Sequence, residues 1–84
     1  MIRFKVQVVF EEGIHARPAA QLMQICQKST SEISMFNKDK KANPKSIMGV
    51  LSLGIGKEDV LDFEINGPDE IETTQAIKDF FMNA

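Results

Sequence analysis

The stretch Ile2-Arg3-Phe4-Lys5-Val6-Gln7-Val8 alternates apolar and polar side chains without a break. Successive side chains of a β-strand point to opposite faces, so a period of two predicts a strand with one face on a core and the other in water. Leu61-Asp62-Phe63-Glu64-Ile65-Asn66 repeats this pattern near the other end of the chain. A shorter alternation covers residues 32–35, and a weaker strand is expected after the polar turn at 37–41.

Helical patterns separate these predicted strands. The first has apolar residues at i, i+3, i+4 and i+7, which is the stripe of an amphipathic helix. Pro18 indicates that this helix begins nearby, and it disfavours a helical conformation at Arg17. The apolar stripe consists of Ala19, Leu22, Met23 and Cys26.

Two further helices are expected downstream. Ser46 before an apolar group is typical of the N-cap of a short helix, which would end near Gly54 and Gly56. Residues 67–70 start the last helix, which carries acidic residues in its first turn, as the helix dipole prefers. Its buried face would consist of Thr73, Thr74, Ile77, Phe80, Phe81 and Ala84.

The predicted order of elements is therefore βαββαβα. This order indicates an α+β two-layer sandwich, with a four-stranded antiparallel sheet and the helices on one face. With 84 residues and a mass of 9.4 kDa, the chain is expected to form a single domain over residues 1–84.

Composition narrows the classes of function. The net charge is −2 and the pI is about 5.3, so direct nucleic-acid binding is disfavoured. We expect no membrane insertion, since no apolar run is long enough for a span or a signal sequence. The lone Cys26 fits the cytoplasm and is most simply a core residue, and the chain offers no set of ligands for a metal.

His15 is the one histidine of the chain, and it lies between the first predicted strand and the first predicted helix. A helix N-terminus carries unpaired N–H groups and partial positive charge, which disfavour imidazolium and can receive a phosphate. Arg17 would add a second positive group. On the residues alone, a solvated cap histidine is the commoner explanation of this position.

Two segments of the chain form distinct motifs: Gly13-Ile14-His15-Ala16-Arg17-Pro18-Ala19-Ala20 and Lys45-Ser46-Ile47-Met48-Gly49-Val50-Leu51-Ser52-Leu53-Gly54. Together these two segments resemble the HPr family of phosphocarrier proteins. Their spacing is similar to that of the family, and the resemblance extends over essentially the whole chain.

The resemblance implies a phosphoryl carrier of the phosphoenolpyruvate-dependent sugar phosphotransferase system, without turnover of its own and without a cofactor. His15 would take a phosphoryl group on Nδ1 from Enzyme I and pass it to the IIA domains of sugar permeases, and Arg17 would be the active-site arginine. A monomer is expected. An independent enzyme is disfavoured because a single histidine offers no acid–base pair.

By the same resemblance, Ser46 would be a regulatory serine, modified by an HPr kinase/phosphorylase and linked to carbon catabolite repression through a catabolite control transcription factor. The alternative is that Ser46 only caps a helix. Partners would dock on Ala16, Ala20, Ile47, Met48 and Leu51, although the apolar members of this set could equally belong to the core.

Some residues depart from the family pattern. Glu12 places a carboxylate near His15, where it would favour imidazolium or repel incoming phosphate. Asp39 and Glu58 stand at turn positions where glycine is common, which predicts shifted or strained turns, and Pro44 before Lys45 is unusual. A regulator that works mainly by binding transcription factors or enzymes is the competing function, but such a protein would be free to lose His15.

Overall fold

The strands and helices form in the predicted order in a computed structural model of the chain, which describes residues 1–83. Ala84, which was expected on the last helix, lies outside the described residues. The elements are β1 (Ile2–Gln7), α1 (Ala16–Gln27), β2 (Glu32–Asn37), β3 (Lys40–Ala42), α2 (Ile47–Ser52), β4 (Val60–Asn66) and α3 (Glu70–Met82).

The strands form one antiparallel sheet with the order β1-β4-β2-β3. The register pairs Phe4 with Phe63 across β1 and β4, and their rings stack with centroids 5.2 Å apart. The opposite face of the same strands carries charged pairs, such as Lys5 with Asp62 at 2.6 Å. The alternation of side chains thus divides the sheet into a core face and a polar face, as predicted.

The helices cover the core face of the sheet. α3 packs on β1 and β4, and α1 packs on both α2 and α3. The predicted stripe of α1 is largely buried, with Met23 half-buried, and Cys26 belongs to the core. The residues of the core cluster include Val8, Ile14, Leu22, Met35, Val50, Leu61, Phe63, Ile65, Ile77 and Phe81.

The β2–β3 turn is tighter than the sequence indicated. β2 extends through Asn37 and β3 begins at Lys40, so only Lys38 and Asp39 connect them. Lys38 adopts the left-handed conformation with a φ of 59°, whereas Asp39 was expected to be the strained residue. Glu58, the other residue expected in a strained turn, does have a positive φ of 73°. A two-residue hairpin turn can place its positive φ at the first central residue, which here is Lys38.

Candidate functional site

The segment before His15 is held against the loop that follows α2. Gly13 has a φ of +73°, and a Cβ there would lie 2.8 Å from the Cα of Gly56 and closer still to the carbonyl oxygen of Ile55. Ile14 donates its N–H to that same carbonyl at 3.1 Å. The close approach that Gly13 permits is therefore to the 55–56 loop.

A surface ion pair adds to this contact between the two loops. The Nζ of Lys57 lies 3.0 Å from Oε2 of Glu11. Both side chains are substantially exposed, so the pair contributes little stability by itself. Its consequence for the site is that the Glu11 carboxylate is directed to Lys57.

His15 is the N-cap residue of α1. Its backbone is extended, with a φ of −108° and a ψ of −161°, and its carbonyl accepts the N–H of Ala19 at 2.9 Å. Its side chain makes no capping hydrogen bond and is 57% exposed. Among residues 1–83, no acceptor takes up the backbone N–H groups of Ala16 and Arg17. The helix start therefore presents an accessible imidazole beside free N–H donors.

Arg17 lies inside the helix, contrary to the expectation drawn from Pro18. Pro18 is in the first turn, where its missing N–H leaves no intrahelical hydrogen bond unmade, so the helix tolerates it. The Arg17 side chain is exposed, and within the part of the chain that the structure describes its guanidinium forms no ion pair. Its charge is available to an anion at the helix start.

Glu12 approaches one edge of the imidazole. Its Oε2 lies 3.9 Å from Nε2 of His15, and the Glu12 side chain is 76% exposed. The carboxylate is therefore beside the histidine, as its position in the sequence suggested. It lies at the Nε2 edge, and within residues 1–83 Nδ1 makes no hydrogen bond.

Ser46 is the N-cap residue of α2, as predicted. Its Oγ accepts the N–H of Gly49 at 3.2 Å, and the residue is exposed. The preceding Lys45 is not free, because its Nζ donates to the carbonyls of Ser29 and Ser31 at 2.9 Å each. A phosphate on Ser46 would meet a lysine that is already engaged in the protein.

A family model described as the PTS HPr component phosphorylation site matches residues 2–83. The chain belongs to the HPr family. This confirms the resemblance drawn from the two sequence motifs, and it supports a phosphocarrier role in the phosphotransferase system.

Solved structures of HPr proteins have the same fold. HPr-C-His from Thermoanaerobacter tengcongensis is 36% identical with a TM-score of 0.94, and the alignment covers 98% of this chain and 92% of that one. An HPr from Bacillus anthracis is 32% identical with a TM-score of 0.90 and 95% coverage of both chains. Crh, the catabolite repression protein of Bacillus subtilis, is 32% identical with a TM-score of 0.77, covering 99% and 95%. Its structure is described as a dimer with a swapped domain.

The apolar residues expected to dock HPr partners differ in exposure. Met48 on α2 is 71% exposed, whereas Ile47 and Leu51 are half-buried against the core. On α1, Ala16 is exposed and Ala20 is half-buried. α1 and α2 pack against each other, so both groups belong to one pair of neighbouring helices. Of this set, Met48 has the most unpartnered apolar surface.

The sequence did not reveal a polar cluster at the other end of α1. The Asp69 carboxylate accepts hydrogen bonds from the hydroxyls of Ser29 and Ser31 and, at 3.0 Å, from the N–H of Thr30. Thr73 donates to Ser29 at 2.8 Å. The hydrogen bond from Ser31, followed by that from Thr30, holds the pKa of Asp69 well below its usual value. The sequence pattern predicts only that Asp69 belongs to a helix start, whereas in the structure it also joins α3 to the beginning of β2.

No helix within residues 1–83 is both long and apolar enough to cross a membrane. Within that same range, no group of three or more His, Cys, Asp or Glu side chains is arranged to hold a metal ion.

Proposed function

We propose that His15 accepts a phosphoryl group from Enzyme I on its Nδ1 and donates it to the IIA domains of sugar permeases. The observation that carries this proposal is the exposed imidazole at the start of α1, beside the free N–H groups of Ala16 and Arg17. In-line phosphoryl transfer needs a positioned nucleophile and donors for the phosphoryl oxygens, and it needs little else from the carrier. The protein is thus a carrier without independent turnover and without a cofactor.

Incubation with Enzyme I and phosphoenolpyruvate tests this role. The mass should increase by one phosphoryl group, and the adduct should be acid-labile. His15→Ala should abolish labelling, whereas Ser46→Ala should leave it in place as a control. An acid-labile adduct that persists in His15→Ala would refute the assignment. Transfer from the labelled protein to a IIA domain then tests donation.

Arg17 is proposed as the second positive group for the transferred phosphoryl. Because it is exposed and has no partner within the described residues, its truncation should cost little stability. Arg17→Ala should slow both acceptance and donation while the melting temperature changes by only about a few degrees. Arg3→Ala is the matched control, because Arg3 pairs with Glu64 on the polar face of the sheet. Equal slowing in both variants would remove Arg17 from the site.

Partner docking is proposed on Ala16, Ala20, Ile47, Met48 and Leu51. Met48→Ala should weaken binding of Enzyme I because it removes the most exposed apolar side chain of this set. Ile71 is equally exposed at 71%, but it lies at the beginning of α3, next to the Asp69 cluster at the far end of α1. The Ile71→Ala variant should therefore bind Enzyme I normally. A loss of affinity equal to that of Met48→Ala would contradict the proposed docking surface.

Ser46 is proposed as a regulatory phosphorylation site for an HPr kinase/phosphorylase, linking the protein to carbon catabolite repression. Its exposed hydroxyl supports access by a kinase. A phosphate there would add negative charge next to the docking residues of α2, while the Nζ of Lys45 is held by the carbonyls of Ser29 and Ser31. Kinase and ATP should label the wild type and not Ser46→Ala, and the modified protein should accept phosphate from Enzyme I more slowly.

The similarity to Crh supports a second candidate function, in which the protein acts mainly by binding a catabolite control transcription factor. The two functions differ in phosphate flux through His15. A carrier transfers phosphate repeatedly to IIA domains, whereas a regulator binds its target when Ser46 is phosphorylated and transfers little.

We also propose that the protein is cytoplasmic and that it is a monomer. Light scattering during gel filtration measures its molar mass and tests the monomer.

A further inference from the structure

The acidic residues before His15 have different surroundings. Glu11 is paired with Lys57 at 3.0 Å, while the Oε2 of Glu12 lies 3.9 Å from the Nε2 of His15. Across the 54–59 loop, Asp59 accepts from the N–H of Gly56 at 2.8 Å and is thereby engaged. Glu12 is thus the carboxylate that faces the imidazole.

A neutral imidazole carries its single proton on either Nδ1 or Nε2, and its surroundings decide which. A carboxylate at the Nε2 edge attracts an N–H there and repels a lone pair. The proton is then held on Nε2 and the lone pair is left on Nδ1, in the way that outer carboxylates fix the tautomer of metal-binding histidines. The free N–H groups of Ala16 and Arg17 remain for the phosphoryl oxygens.

We propose that Glu12 is a positioning residue that directs phosphoryl transfer to Nδ1 of His15 and stabilises the ring while it occurs. This inference rests on the proposed carrier function. It assigns to Glu12 a favourable role, in place of the repulsion of phosphate expected from its sequence position.

The charge that develops on the His15 ring during transfer is the reason for this role of Glu12. The Nδ1 lone pair attacks phosphorus, the N–P bond forms, and the bond from phosphorus to the donor breaks with its electron pair leaving on the donor. No proton needs to move, because Nε2 keeps the one it holds. The ring therefore gains positive charge, and the nearby carboxylate stabilises it as the aspartate of a Ser-His-Asp triad stabilises imidazolium. Attack through Nε2 would instead bring the phosphoryl charge against Glu12.

The first test measures the tautomer in the unmodified protein. ¹⁵N NMR of His15 in its neutral form should show the Nε2–H tautomer in excess. Glu12→Gln should lower the ratio of Nε2–H to Nδ1–H by about two- to fivefold, the range expected for an exposed charge interaction. Glu12→Asp should retain part of the preference, and Glu11→Gln should leave the ratio unchanged. An unchanged ratio in Glu12→Gln, or an equal change in Glu11→Gln, would overturn the proposal.

The second test uses phosphoramidate, which transfers its phosphoryl group with loss of ammonia and needs no partner protein. ³¹P NMR should show Nδ1-phosphohistidine in the wild type, formed about two- to fivefold more slowly in Glu12→Gln and with a larger share of the Nε2 isomer. Equal rates and equal isomer ratios would refute the role of Glu12. If phosphoramidate labels His15 as expected but Enzyme I does not, the carrier function fails while the role of Glu12 stands.

Discussion

Replacing Gly13 by alanine should strongly destabilise the protein, because two separate features of this position exclude a side chain. The backbone is left-handed with a φ of +73°, and an added Cβ would collide with the backbone of Ile55 and Gly56. Those atoms belong to the loop on which the histidine segment rests, so they cannot move away without opening the contact.

The loss of stability in Gly13→Ala can be worked out from these two features. A left-handed conformation costs a non-glycine residue about 1–2 kcal/mol, offset by about 0.4–1 kcal/mol from the reduced entropy of the unfolded chain. Breaking the hydrogen bond from Ile14 to Ile55 and burying its unpaired groups adds about 1–3 kcal/mol. The sum is about 1–5 kcal/mol, with a midpoint of about 3 kcal/mol, which corresponds to a decrease of roughly 4–37 °C in the melting temperature of a domain of this size.

Gly54→Ala is the matched control. Gly54 also has a positive φ, of 59°, but a Cβ there would meet nothing within 4 Å. This substitution should therefore cost only about 0–1.6 kcal/mol, from the conformation alone. Urea and thermal unfolding of both variants measure the difference, and phosphorylation of His15 by phosphoramidate reports whether the segment is still positioned. Equal losses of stability would show that the 13–55 contact does not determine the position of this segment.

Other substitutions have equally definite outcomes. Ser46→Ala should lower stability by about 1 kcal/mol because Gly49 loses its capping acceptor, whereas Ser46→Asp should retain most of it in thermal unfolding. The lowered pKa of Asp69 means that its ionised form stabilises the fold above the usual value of 3.8, and this contribution is lost as the pH falls below that value. Asp69→Asn should accordingly flatten the acid limb of a stability–pH curve, and an unaltered limb would contradict this. Burial raises the pKa of Cys26 to about 12, so a thiol reagent at pH 8 should label it only upon unfolding. Rapid labelling of the native protein would show that Cys26 is accessible.

The fold could be predicted from local patterns because each pattern reports burial along a single element. The alternation in β1 and β4 and the stripe of α1 follow from the periods of strand and helix, and they needed no knowledge of the partner elements. The glycine at position 54, with its positive φ after the last turn of α2, was likewise visible as a helix end. The position of His15 at the start of α1 was predicted from the same strand and helix patterns.

Local patterns were less reliable where the chain turns. Pro18 correctly indicated the start of α1, but the preference of the preceding residue for extended backbone did not exclude Arg17 from the helix. The left-handed residue of the β2–β3 hairpin is Lys38. The identities of the residues at positions 38 and 39 do not by themselves show which of the two adopts this conformation. Turn geometry depends on how the paired strands are aligned, and single residues constrain that alignment only weakly.

The contacts that shape the site were decided by the tertiary structure. Lys57 meets Glu11 across 46 residues, Ser31 meets Asp69 across 38, and Gly13 lies against Ile55 only because the two loops converge. The sequence placed Glu12 near His15, but its position at the Nε2 edge depends on how the 11–14 segment is held against the 55–57 loop. Hydrophobic periodicity determines which face of an element is buried, whereas the partner of a given polar side chain depends on which distant segments the packed core brings together.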